Sequence, residues 1–383
     1  MGSIPAGALR DPSTGTDEVP AGDQPSPSLH VVAPAPVTTP AKPSSPYIVG
    51  KWYDWALFIG SPVWALAIGV AISHTDMADK LWWWRGQTFS YTGMFLGILI
   101  HAHLVAVVFR THANRTVFKM FPLRFTLVPL AMFAVMQTSR WVLVSVSVLA
   151  TFWDVYHSGA QTFGFARIYD KKAGNDALAG RRLDWWLNHL LYAGPILGGV
   201  VMMEHFGDFH EYKERGLVSA LFESVPPFMD RNHAYFTMLV IAGGTAFIVY
   251  YLYAYFRLME AGHRVSKQKV WILALTGLVS IYTWGFNSWG QAFFIMNVFH
   301  AVQYFGIVWA NEKKTILRTF RVETIPAGKW IGLTLFLAST AGYGVWVAAT
   351  KSSHETLWSI MLVVSIMHFW YDSFVWSVRK AQV

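Results

Sequence analysis

Cysteine is absent from the 383 residues. That excludes disulfides, thiolate metal ligands and thiol nucleophiles, and leaves imidazole and carboxylate as the side chains able to hold a metal. Charge is scarce too: Asp, Glu, Lys and Arg make up 14% of the chain against 54% hydrophobic residues. This balance is foreign to an ordinary soluble domain and marks a polytopic membrane protein. Proline is thin beyond residue 50, since ten of the seventeen fall before it, among Ser, Thr, Ala and Gly, with no aromatic ahead of Tyr47. Residues 1–50 therefore read as a disordered, Pro-rich cytoplasmic tail, and 51–383 as an integral-membrane helical domain. The tail has no basic start followed by an apolar core, so it does not read as a secretory signal. "MGSIPA" also lacks the Ser or Thr that a myristoylation site carries at position six.

What is abundant is the long apolar run. A hydrocarbon core of about 30 Å needs about 20 helical residues, and runs of that kind recur at 53–73, 88–109, 123–138, 141–166, 185–204, 234–256, 269–285, 289–310, 329–349 and 356–378. The expected fold is all-α, a polytopic transmembrane helical bundle of about ten spans. Pro122 and Pro129 mark the third span as kinked or incomplete. The net charge of +8 raises the question of a nucleic-acid partner, but the basic residues sit in short loops between spans, so the expected partner is the lipid bilayer. Loops after spans two, four, six and eight hold eighteen Lys and Arg, including Arg110, Arg167, Lys269 and Lys313, against seven in the loops between. Cytoplasmic loops are the basic ones. Both termini are then cytoplasmic, in an inner or plasma membrane. Trp82, Trp83, Trp84, Trp185 and Trp186 lie at span ends, as interfacial anchors do. The outer connection 205–233 opens with Glu204, His205, Asp208 and His210, which read better as a solvated amphipathic helix than as a metal site.

The even spans collect the intramembrane ionisable groups. Span two has His101 and His103, span four Asp154 and His157, span eight His300, span ten His368 and Asp372. Counted from the inner end of each span, His101 lies nine residues before Arg110, His157 ten before Arg167, His300 eleven before Asn311 and His368 eleven before Arg379. At about 1.5 Å per residue, all four stand about 13–17 Å above the inner boundary. Ionisable groups at this depth are costly and mark function. Four helices offering imidazole at one level point to a shared metal or cofactor site, with a proton pathway and plain interhelical hydrogen bonding as the competing readings. His101 and His103 point about 200° apart on a helix, so one of the two faces the site. His112 is a weaker candidate near the boundary, and Glu312 reads as solvated.

Each histidine has polar company. Asp154 is three residues before His157 and Asp372 four after His368, spacings that share a helix face and suit either a ligand or a group holding the second ring nitrogen. Gln161 follows His157 by four and Gln303 follows His300 by three. Those amides could orient a bound water or substrate, or could simply bond helix to helix. Imidazole with carboxylate and no thiolate suits iron, zinc, copper or manganese. A haem would use two axial histidines and leave the others unexplained.

The segments "LIHAHL", "DVYHSGAQTFG", "VFHAVQYFG" and "MHFWYD" together resemble the Brp/Blh family of membrane β-carotene 15,15′-dioxygenases, which places single histidines on separate transmembrane helices, each with a short polar companion. Here the first lacks the family's Pro-His-Gly and the third has Gln303 where the family has a second histidine. The resemblance implies one non-haem iron held by His101 or His103, His157, His300 and His368, cleaving a polyene double bond with dioxygen as co-substrate. The expected function is thus an integral-membrane oxidoreductase with a non-haem iron site and a lipid-soluble substrate. The alternatives are a proton-coupled transporter, using Asp154, His157, His300 and Asp372 as relay groups, and a b-type haem or quinone electron-transfer protein.

Overall fold

A computed structural model describes residues 45–84, 87–212, 223–350 and 354–376. The expected tail lies outside these residues except for its last six. The elements are α1 (Lys51–Asp54), a π-helical turn (Trp55–Ile59), α2 (Ser61–Ile72), α3 (Asp76–Asp79), β1 (Leu81–Trp84), β2 (Gln87–Ser90), α4 (Tyr91–Val105), α5 (Val107–Arg110), α6 (Arg115–Met120), α7 (Pro122–Met136), α8 (Arg140–Lys172) and α9 (Arg181–Gly198). A 3-10 segment (Met203–Tyr212) leads to α10 (Val225–Arg231), α11 (His233–Glu260), α12 (Lys267–Phe286), α13 (Trp289–Thr319), α14 (Gly328–Ala349) and α15 (Glu355–Val375).

Each of the ten expected apolar segments is helical. Local chemistry sets their ends: the side chains of Ser90, Asn114, Ser139 and Ser266 accept backbone N–H groups at the starts of α4, α6, α8 and α12, and Pro62 and Pro122 occupy first turns where no donor is lost. Among the described residues, six helices are long and apolar enough to cross a membrane: Tyr91–Arg110 together, α11, α12, α13, α14 and α15. The segment from Lys51 to Ile72 makes a seventh if its two parts, bent by 52° at Gly60, count as one. A Cβ at Gly60 would lie 2.6 Å from the Trp55 carbonyl oxygen, so the bend needs glycine. The other three of the ten fall short for identifiable reasons. α7 has only 15 residues, and α8 and α9 interleave Ser, Asp, His, Asn and Gln with their apolar positions.

α13 is the axis of the packing. It touches α2, α4, α5, α12 and α14, and 83% of its apolar window is buried, against 11% for α11, which lies on the outside. Two elements depart from expectation. Trp82, Trp83 and Trp84 lie on a strand paired antiparallel to β2, with Trp82 opposite Phe89 and stacked on Tyr91. The connection after α9 is no solvated helix: Phe206 and Phe209 pack on Val144 and Val148 of α8, and His205 is buried against Trp284 and Trp289. Side chains of Asp208 and His210 lie outside the described residues. At the chain's first described turn, the buried Asp54 accepts the backbone N–H groups of Ile48, Val49 and Gly50 and the Tyr169 hydroxyl, tying that turn to α8.

Candidate metal centre

Four imidazoles meet in the centre of the bundle, one each from α4, α8, α13 and α15. The ring of His103 lies 5.1 Å from those of His300 and His368, and that of His157 lies 4.8 Å from His368 and 5.3 Å from His300, all nearly edge to face. All four side chains are buried. Two overlapping triads have ligand atoms within 4.8 Å of one another: His103, His300 and His368, and His157, His368 and Asp372.

The hydrogen bonds around the cluster say which nitrogens are available. His368 Nδ1 lies 3.0 Å from the Leu104 carbonyl oxygen, which can only accept. Nδ1 therefore carries the proton, and Nε2 presents its lone pair to the cluster, the usual way a backbone carbonyl orients a ligating histidine. His157 Nε2 is 3.1 Å from His368 Nε2, a separation that a shared proton and a shared cation both produce. Both ring nitrogens of His103 and Nε2 of His300 are buried without any hydrogen-bond partner. A buried polar atom left unpaired costs about 1–3 kcal/mol. One nitrogen of His103 carries the ring proton, so this ring and His300 each offer one lone pair to a cation, and a nitrogen-rich set with one carboxylate suits iron, zinc, copper or manganese.

Asp372 closes one side. Its Oδ2 lies 3.9 Å from His157 Nε2 and 3.8 Å from His368 Nε2, while Oδ1 accepts from the Tyr304 hydroxyl at 3.0 Å and Trp376 Nε1 at 2.9 Å. One carboxylate oxygen is thus committed to neutral donors and the other is aimed at the imidazoles. Below it, Arg110 stands over the Trp376 ring at 4.6 Å and pairs with Glu312 at 2.5 Å, and Asn114 donates to the other Glu312 oxygen. Glu312 is therefore buried and paired, because α5 brings a guanidinium to α13. The solvated position expected for it is corrected.

The remaining candidates fall elsewhere. His101 turns away: its Nδ1 meets the Gly97 carbonyl oxygen at 2.8 Å and its ring faces Tyr343 of α14. Asp154 is in electrostatic contact with Tyr192 of α9 and belongs to neither triad. Gln161 donates to the His300 carbonyl oxygen at 3.1 Å and to Gln303 Oε1 at 2.9 Å, and Gln303 donates in turn to the Phe58 carbonyl oxygen at 2.9 Å. The two amides thus lash α8, α13 and the π-helical turn together beside the site. His112 bonds Thr111 and the Phe125 carbonyl oxygen, away from the cluster.

A cavity of about 430 Å³ adjoins the cluster, with His157, Gln161, Tyr304 and Asp372 in its wall. A second, of about 440 Å³, lies between α2, α4 and α13 and reaches none of the clustered residues.

Charge patterning alone missed a second buried assembly. Arg167 Nη1 lies 2.7 Å from Asp170 Oδ2 and 2.5 Å from Asp184 Oδ2, and Lys269 Nζ lies 2.8 and 2.7 Å from the same two oxygens. Tyr251 and Tyr255 donate to Asp184 Oδ1, and Arg167 Nη2 donates to the carbonyl oxygens of Asp176, Ala177 and Ala179. Arg167 and Lys269 are thus not solvated loop cations. The available signal was the pair of acids, Asp170 and Asp184, set among the basic residues that follow span four.

An all-α protein with several long apolar helices and a buried histidine cluster is the class these features define. No protein-family model, curated protein or solved structure matches the chain.

Proposed function

We propose that the chain is an integral-membrane oxidoreductase whose four-histidine centre holds one non-haem iron and acts, with dioxygen, on a lipid-soluble substrate. The observation that carries the reading is the convergence of His103, His157, His300 and His368 with three buried ring nitrogens left unpaired. Bound there, ferrous iron would supply a site for activating dioxygen, with an apolar surround that limits side reactions with water. Iron is favoured over haem because ring centroids 4.8–5.3 Å apart leave no slot for a porphyrin between either of His103 and His157 and either of His300 and His368. The resemblance to the Brp/Blh dioxygenases points the same way and suggests a carotenoid-like polyene. In that reaction one carbon–carbon double bond and one dioxygen become two carbonyl groups.

The chain's own residues have separable tasks in this reading. Leu104 sets the His368 tautomer through its carbonyl oxygen, Tyr304 and Trp376 hold Asp372 so that one oxygen faces the imidazoles, and Gln161 with Gln303 fixes the spacing of α8 and α13. Aromatic rings beside His157 in the cavity wall give an apolar substrate its surface. The finer topology belongs to the same proposal: about ten crossings, with the bent pair, α7, α8 and α9 completing the bundle, and cytoplasmic termini in an inner or plasma membrane, as the basic loops require.

Metal analysis tests it. Wild-type protein reconstituted anaerobically with ferrous iron should bind about one equivalent, judged from the single shared Nε2 of His368, with no Soret band. His103→Ala and His368→Ala should each abolish binding while His101→Ala retains it. Negligible iron in the wild type, or full iron in both site variants, would end the proposal.

A further inference from the structure

The cavity beside the cluster has a direction. On α8 it is lined at His157, Gln161, Gly164 and Ile168, a stripe of i, i+3 and i+4 positions on one helix face. The eleven residue steps from His157 to Ile168 span about 16 Å. Phe369 and Asp372 of α15 and Trp376 just beyond it line the same cavity, as does Arg181 at the start of α9. A Cβ at Gly164 would meet no atom within 4 Å, so the cavity continues past the middle of this stripe rather than closing there.

The wall is aromatic with interspersed polar side chains such as Gln161, Tyr304 and Ser373, and its charged groups lie toward two ends. One end is the cluster itself. At the other stand two guanidinium groups that differ in kind: the two Nη groups of Arg167 are taken up by Asp170, Asp184 and three carbonyl oxygens, whereas Arg181 is exposed and makes no ion pair among the described residues. The Arg181 guanidinium lies 5.6 Å from the Phe163 ring centroid, which holds it over the cavity wall. An apolar channel with an uncommitted cation at its mouth and an imidazole–carboxylate cluster at its foot matches one chemical class of guest.

We infer that the cavity takes a long-chain amphiphile with an anionic head group, the head on Arg181 and the chain running along α8 to His157 and Asp372. This deepens the oxidoreductase reading and rests on it only for what happens at the buried end. The anionic head could be the carboxylate of a free acid or the phosphate of a membrane lipid, and the two are separable by experiment.

The test uses the full-length protein in phosphatidylcholine nanodiscs, with trans-parinaric acid as a fluorescent acid-headed probe and trans-parinaryl alcohol as its neutral counterpart. Trp153, Trp185 and Trp376 line the cavity and serve as energy donors. Parinaric acid should bind saturably. Arg181→Gln should weaken it about 10-fold, the scale of one charge-assisted hydrogen bond, and should leave the alcohol unchanged. Gly164→Phe should abolish binding of both by filling the channel, and Gly164→Leu, a smaller change, should weaken both if the phenylalanine variant does not fold. Displacement by oleate but not by phosphatidic acid identifies a free carboxylate as the guest, and the reverse identifies a lipid phosphate. Equal affinity for acid and alcohol in the wild type, no effect of Arg181→Gln, or energy transfer that neither Gly164 variant alters would overturn the inference. Binding measured with and without iron keeps the two proposals apart: a protein that binds parinarate but no iron retains the channel and loses the metal centre.

Discussion

Two buried polar assemblies in one bundle are built on opposite principles. Around Arg167, Lys269, Asp170 and Asp184, two cations face two anions, and Tyr251, Tyr255 and three backbone carbonyls take up remaining valences. In the histidine cluster, His103 and His300 keep unpaired ring nitrogens among neighbouring imidazoles. The first assembly balances its charges without a guest, leaving only Arg167 Nε unpaired among the Arg167, Lys269, Asp170 and Asp184 side chains, and ties α8, α9 and α12 together. The second leaves lone pairs that a cation could take. Burial and polarity alone would not separate them; the accounting of donors and acceptors does.

The comparison breaks most sharply at Lys269. Lys269→Ala leaves Asp170 and Asp184 short of a counter-charge in a buried site, and should cost about 3–5 kcal/mol, read as a large fall in melting temperature in detergent. The joint replacement Lys269→Met with Asp184→Leu should recover part of that loss if the cluster is structural. His103→Phe should do the reverse: iron binding disappears, while the melting temperature of the metal-free protein stays close to wild type, since the lost nitrogens had no partner. A collapse of the fold there would mean the cluster is held by hydrogen bonds instead.

Asp372→Asn is the intermediate case. It keeps an acceptor for Tyr304 and Trp376 but removes the charge aimed at the imidazoles, so iron affinity should fall about 10–100-fold, measured by competition with a chelator, with little change in melting temperature. At Gly180, φ is +66° and a Cβ would lie within contact of the Tyr255 hydroxyl, so Gly180→Ala should destabilise the ionic assembly by about 1–2 kcal/mol.

The smallest effect concerns His263, in the loop between α11 and α12. Burial holds its imidazole below the ordinary value and the Lys269 and Arg167 cations push the same way, although Asp170 at 3.8 Å opposes them. A lowered folded value means the unfolded chain takes up a proton before the folded one does. Stability is therefore lost as pH falls through about 6.5 and below. The melting temperature of wild type should drop more between pH 7.5 and 5.5 than that of His263→Gln, and equal slopes would remove His263 as a contributor.

The helices were legible because apolar runs of bilayer length leave few alternatives, and Ser, Asn and Pro at their starts fit helix ends. The histidines were legible for a related reason: counting residues from each basic boundary converts sequence position into depth along a rod of known rise. His103 over His101 was not legible, since both sit on one helix and only the placement of α13 and α15 decides which face is inward. Asp154 and Asp372 looked equivalent by spacing, but α9 draws the first toward Tyr192 while Tyr304 and Trp376 hold the second at the cluster. Glu312 reads as solvated, and Arg167 and Lys269 as loop charges, for one reason. A rule that counts charges by loop cannot see an opposite charge delivered by a distant segment.

Composition and periodicity by themselves determined an all-α chain with long apolar helices, no thiol chemistry and imidazoles on four separate helices. Only the tertiary structure decided which nitrogens go unpaired, which carboxylate faces them, which cations are neutralised and where a channel remains open. Depth along a helix is a one-dimensional quantity that the order of residues carries. Rotation about the helix axis and the choice of neighbours are set by packing between segments up to 265 residues apart, as in the bond from Arg110 to Val375.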